Sequence, residues 1–146
     1  FVFSFVRNPW SRVVSAYKFA KQGRTESMGM YKPEQYQIPE FETFERFVKE
    51  WLALRDINEL DYIFQPQVRF LTDGDGEIIV DYVEKLENLD SGIIKIEQQL
   101  GKNISVVRSN ATSTTHSYRD YYISKDLIDL VSNIYKNDIE TFGYEF

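Results

Sequence analysis

Cysteine is absent from the 146 residues. The chain can form no disulfide and no cysteine-based metal site. Histidine occurs once, too few for an ordinary zinc site. Positive charge is scarce: 17 Lys and Arg stand against 23 Asp and Glu, a formal net charge of -6. Binding of long nucleic acid by general electrostatics is thereby excluded, although a local basic pocket is not. No run is long or apolar enough to span a membrane, and no signal peptide is visible. Aromatic residues, by contrast, are plentiful, with 11 Phe and 10 Tyr. The composition fits one domain, residues 1–146, with a sizeable core.

The stretch that organises the chain is residues 1–18. Phe1-Val2-Phe3-Ser4-Phe5-Val6 is a near-continuous apolar run of the kind expected of a strand buried on both faces. It stops at Arg7-Asn8-Pro9. Asn8, pushed out of the α region by the following proline, is a natural helix N-cap, and Pro9 suits the first helical position. Beyond it Trp10, Val13, Val14, Tyr17 and Ala20 recur at helical spacing. Strand, turn and helix follow, with an arginine at the carboxyl end of the strand.

A helix start offers backbone N–H groups and partial positive charge, and Arg7 adds a planar fork of donors, so the place suits an anion. Ser15 adds a hydroxyl, with Arg12 one turn before it. An ordinary capped helix with solvated arginines is the other reading. The residues Arg7-Asn8-Pro9-x-x-Arg12-x-x-Ser15-Ala16-Tyr17 resemble the 3′-phosphate-binding motif of sulfotransferases that use 3′-phosphoadenosine 5′-phosphosulfate (PAPS). The likeness is closest to the carbohydrate-type branch, sulfotransferase family 2.

That resemblance continues along most of the chain. Gln65-Pro66-Gln67 with Val68, Phe70 and Leu71 is similar to a family segment, as are residues 78–89 with Asp81 and Glu87. So is the closing pattern of Tyr135, Asp138, Phe142, Gly143, Tyr144 and Phe146. Alternating strand-like and helix-like segments predict a three-layer α/β fold with a mainly parallel sheet, and the apolar run with its turn into a helix makes residues 1–6 a central parallel strand. The resemblance implies that same class, related to P-loop nucleotide kinases. It implies PAPS as donor, no metal, and a hydroxyl acceptor, most often on a sugar. Arg7 and Ser15 would hold the 3′-phosphate, and Asn110 and Thr112, in the hydroxyl-rich loop at 108–118, would reach the nucleotide.

The remaining segments are read more plainly. Residues 22–40 form a long loop, either a border of an acceptor site or a surface insertion. Residues 41–55 form a helix whose stripe of Phe44, Phe47, Val48, Trp51 and Leu52 is core. Residues 72–76 are a turn rather than a calcium loop, and 90–101 and 121–146 are helical, the latter capped by Ser124. Glycines 74, 76, 92 and 101 are turn and cap residues by context. Glu87 has a structural role, and as an acid–base pair Asp81 and Glu87 are weak. His116 is a surface residue.

No glycine, lysine and Ser/Thr cluster suited to a 5′-phosphosulfate appears in the chain. The expectation is a missing upstream βα unit, which leaves an apolar strand edge through which copies could associate. Catalytic residues are unassigned. The expected compartment is the cytoplasm, with membrane association in a bacterium or the Golgi lumen in a eukaryote as alternatives. The alternative functions are a non-catalytic domain that binds a phosphorylated ligand or a protein partner, and a P-loop kinase relative.

Overall fold

The computed structural model describes residues 1–106 and 116–146. Strand β1 (Phe3–Val6) leads through the Arg7-Asn8 turn into helix α1 (Pro9–Gln22). Asn8 caps α1, its Oδ1 accepting from Ser11 N at 3.1 Å. Gly23 ends it at φ 79°, a left-handed conformation that glycine adopts without cost. The residues forecast for the inner face, Trp10, Val13, Val14, Tyr17 and Ala20, are all buried.

Strand β2 (Tyr82–Lys85) runs parallel to β1, with Phe3 opposite Tyr82 and Val6 opposite Lys85. Helix α3 (Leu89–Leu100) packs on the pair through Gly92. A Cβ at Gly92 would sit 2.7 Å from Glu84 Cγ and 3.0 Å from Phe5 Cε1, so glycine here permits a close helix–strand approach. Gly92 is therefore a mid-helix packing residue and not the turn residue its context suggested.

The parallel pairing agrees with expectation, and the placement of β1 does not. Among the described residues the sheet has two strands, so β1 lies at an edge rather than in the centre of a three-layered sheet. Its burial is correspondingly one-ended. Phe1, Val2 and Phe3 are 50%, 57% and 38% exposed, while Val6 is 2% exposed. Only one side of the strand carries a ladder, and only its carboxyl end enters the core.

That core is aromatic. Helix α2 (Phe44–Arg46), started by Thr43 at its N-cap, runs on as a π-helical turn at Phe47–Trp51 and a tight turn at Leu52–Leu54. Thr43 makes this helical run begin later than residue 41. Phe41 lies instead in a separate short turn, Pro39–Phe41. Tyr17, Phe41, Phe47, Trp51 and Phe64 meet with ring centroids 5.0–6.1 Å apart, edge-on or tilted in most pairs. The C-terminal helical region divides into α4 (Lys125–Ile134) and α5 (Lys136–Phe142). Ser124 stands at the N-cap of α4, but its hydroxyl is buried and makes no hydrogen bond among the described residues.

Candidate functional site

The Arg7-Asn8 turn is held by side chains from three distant segments. Arg7 N donates to Gln67 Oε1 at 2.8 Å, and Gln67 Nε2 returns a bond to Arg7 O at 2.8 Å. Gln67 is fixed in turn by Asp138, whose carboxylate is wholly buried. Asp138 Oδ2 accepts from Gln67 N at 2.8 Å and Gln67 Nε2 at 3.4 Å, and Oδ1 accepts from Val68 N at 2.8 Å. Two acceptor-only neighbours, the carboxylate and Arg7 O, settle which way the Gln67 amide points. Asn8 N donates to Glu87 Oε1 at 2.8 Å. The Tyr144 hydroxyl donates toward Glu87 Oε2 at 2.9 Å and Val6 O at 3.0 Å.

These bonds change the expected picture of the helix start. Asn8 N–H is taken by Glu87, Pro9 has none, Ser11 N–H goes to its cap, and Arg12 N donates to Asn8 O at 2.9 Å. The Glu87 carboxylate thus takes part of the position foreseen for an anion. Of the N–H groups at the helix start, only that of Trp10 is left without a partner among the described residues, so a ligand is met chiefly by side chains.

Those side chains line a cavity of about 610 Å³ along α1. Ser11, Ser15, Lys18 and Gln22, at helical spacing, form one wall together with Arg7 and Arg12. Thr25, Met28, Tyr62 and Tyr118 lie on the cavity lining as well. Residues from the 22–40 loop therefore border the site.

The two arginines of the motif differ in what they hold. Arg12 Nη1 donates to Gln65 O at 2.7 Å and Nη2 to Tyr62 O at 3.3 Å, so both ends of its fork bind backbone. Arg7 donates through Nε to Ser11 Oγ at 3.1 Å. Its two terminal nitrogens make no hydrogen bond among the described residues, nor does the exposed Ser15 hydroxyl. Burial pushes the Arg7 guanidinium below its ordinary pKa, and the facing Glu87 and Tyr144 push it back up. The Tyr144 hydroxyl is driven upward by burial and by its bond to Glu87, so it stays protonated. Lys18 forms no ion pair among the described residues.

Against known proteins, the sulfotransferase family matches residues 1–145. The chain belongs to the sulfotransferase family. No curated protein and no solved structure matches it.

Within this sulfotransferase chain, the cavity brings Arg7 and Ser15 to one lining. Asn110 and Thr112 lie outside the described residues. His116 is on the rim, its side chain 77% exposed and 3.9 Å from Asp120. Asp81 and Glu87 do not form a pair. Asp81 Oδ2 accepts from Val2 N at the start of β1, whereas Glu87 binds beyond its end. Among the described residues no group of three or more potential ligands could hold a metal, and no helix is long and apolar enough to cross a membrane.

Four residues that build the site escaped the sequence reading as site residues: Ser11, Gln67, Asp138 and Tyr144. Gln67 lies in the Pro-Gln segment and the last two in the closing pattern. These three were visible as parts of motifs, whereas Ser11 falls on an open position of one, and nothing in one dimension says that 67 and 138 meet at residue 7.

Proposed function

We propose that the chain carries the 3′-phosphate-binding half of a PAPS site, in an enzyme that transfers a sulfuryl group to a hydroxyl of a carbohydrate. The observation that carries this is the surroundings of Arg7. It lines a cavity together with Ser15, and among the described residues its two terminal nitrogens make no hydrogen bond. A phosphate fits this set: the fork gives two charge-assisted bonds, Ser15 a third, and Lys18 further positive charge.

The reaction is an in-line displacement. The acceptor oxygen attacks sulfur, the bond from sulfur to the phosphate oxygen breaks, the acceptor's proton passes to a base, and adenosine 3′,5′-bisphosphate leaves. The chain's contribution is to bind and orient, which by itself supplies much of the rate in such transfers. Gln22, Thr25 and Tyr62 bring an amide, a hydroxyl and a ring to the lining, groups suited to a sugar.

The test is incubation of the full-length protein with PAPS and a panel of polysaccharides, with mass spectrometry of both products. Sulfated saccharide together with adenosine 3′,5′-bisphosphate is expected. Tight binding of the bisphosphate with no transfer to any hydroxyl would instead favour a non-catalytic nucleotide-binding domain. Failure to prefer the bisphosphate over adenosine 5′-phosphate would end the PAPS reading.

A further inference from the structure

We infer that Ser11 is a positioning residue, which sets the Arg7 guanidinium so that only its two terminal nitrogens face the ligand. The inference rests on the reading of Arg7 as a phosphate ligand and adds a residue to it. A guanidinium can meet an oxyanion side-on, through Nε and one terminal nitrogen, or end-on, through the two terminal nitrogens. Arg7 Nε donates to Ser11 Oγ at 3.1 Å, which closes the side-on edge.

Ser11 is well placed to do this. It is 8% exposed, and its own N–H is tied to Asn8 Oδ1 at 3.1 Å. Its hydroxyl therefore projects from a fixed point in the first turn of α1. The other end of Arg7 is fixed as well, because Gln67 takes both its N–H and its carbonyl. Anchored at the backbone and at Nε, the side chain loses most of its rotamer freedom before a ligand arrives. Affinity is gained by that ordering. The charged and titratable groups that act on Arg7 are Glu87, Tyr144 and Arg12, and none of them occupies its terminal nitrogens.

Ser11→Ala tests the assignment with little risk to the fold, since alanine is the better helix former and the Asn8 cap stays in place. Calorimetry on the full-length protein should show adenosine 3′,5′-bisphosphate binding weakened by about threefold to tenfold, the scale of one ordinary hydrogen bond. Binding of adenosine 5′-phosphate and the melting temperature should not move. Ser11→Thr, which keeps the hydroxyl, should restore the affinity. In an Arg7→Ala background Ser11→Ala should add no further loss. Wild-type bisphosphate affinity in Ser11→Ala, alongside a weakened Arg7→Ala, would overturn the role of Ser11 and leave Arg7 as a ligand. An undiminished loss in the Arg7→Ala background would overturn it too, because Ser11 would then touch the nucleotide directly. No effect of Arg7→Ala itself would bring down the underlying reading.

Discussion

Arg7 and Arg12 stand five residues apart at the start of α1, line one cavity, and have opposite surroundings. Arg12 uses both terminal nitrogens on the carbonyls of Tyr62 and Gln65, joining the helix to the 62–65 segment. Arg7, among the described residues, hydrogen-bonds only through the Nε of its side chain, and its terminal nitrogens have no partner there. The same side chain is a strut in one place and a ligand-facing group in the other. What separates them is the neighbouring acceptors: backbone carbonyls surround Arg12, whereas the polar groups around Arg7 bind its peptide unit or its Nε.

Removing what holds the peptide of Arg7 should give the largest effect. Asp138→Ala leaves the N–H groups of Gln67 and Val68 without an acceptor and frees the Gln67 amide to turn. A loss of about 3–5 kcal/mol is expected, given roughly 1–3 kcal/mol for each buried donor left unsatisfied. Urea unfolding measures it, and a loss under about 1 kcal/mol, the worth of a single ordinary hydrogen bond, would show that the turn does not depend on this carboxylate.

Acid should remove a different strut and spare the arginine contrast. Glu84 accepts from Tyr82 Oη at 2.5 Å, from Lys85 N at 3.0 Å and from Lys95 Nζ at 3.1 Å. Tyr82 first, then the Lys85 N–H and Lys95, hold its carboxyl down at about 2. A carboxyl lowered in the folded state stabilises the fold above its unfolded value and loses that contribution as pH falls through the folded one. Thermal stability should therefore decline between about pH 4.5 and 2, and Glu84→Gln should flatten the decline. An equal decline in the variant would assign it to other carboxylates.

The smallest expected effect is a gain. Glu87 faces Arg7 with a full negative charge while accepting from Asn8 N. Glu87→Gln keeps an acceptor for that N–H and removes the charge. Bisphosphate affinity should rise about twofold to fivefold, a screened electrostatic effect that shrinks with salt. Weaker binding would mean that Glu87 helps hold the ligand and that its charge is not in competition with the phosphate.

How much of this was legible in the sequence depends on the range of the interaction. The strand, the Asn8 cap, Pro9 at the first turn and the inner face of α1 are local, and propensity and periodicity reported them correctly. The aromatic stripe of α2 was legible for the same reason, although the π-helical turn at Phe47–Trp51 was not, since no residue pattern marks it. The apolar edge expected of β1 is there, but a central place for it is not seen among the described residues, because an apolar run says nothing about how many neighbours a strand has. Gly92 was misread because a packing glycine and a turn glycine look alike until Glu84 and Phe5 approach it. In the site, Arg7 and Ser15 were read from a motif that spans one turn and the helix after it. The hold on Arg7 comes from residues 67, 87, 138 and 144, all at least 60 positions away, and only the fold brings them together.

The central claim is that Arg7 reads the 3′-phosphate and Arg12 does not. The direct measurement is the ratio of affinities for adenosine 3′,5′-bisphosphate and adenosine 5′-phosphate, taken by calorimetry on full-length wild type, Arg7→Ala and Arg12→Ala. In Arg7→Ala the ratio should drop by about a hundredfold or more, with two charge-assisted bonds lost at roughly 1.5–3 kcal/mol each and 1.4 kcal/mol per tenfold. Arg7→Lys should recover part of it, since a point charge cannot form the fork. In Arg12→Ala the ratio should hold while the melting temperature falls, because two carbonyls lose their donors. Equal ratios in all three proteins, or a larger drop in Arg12→Ala than in Arg7→Ala, would contradict the account.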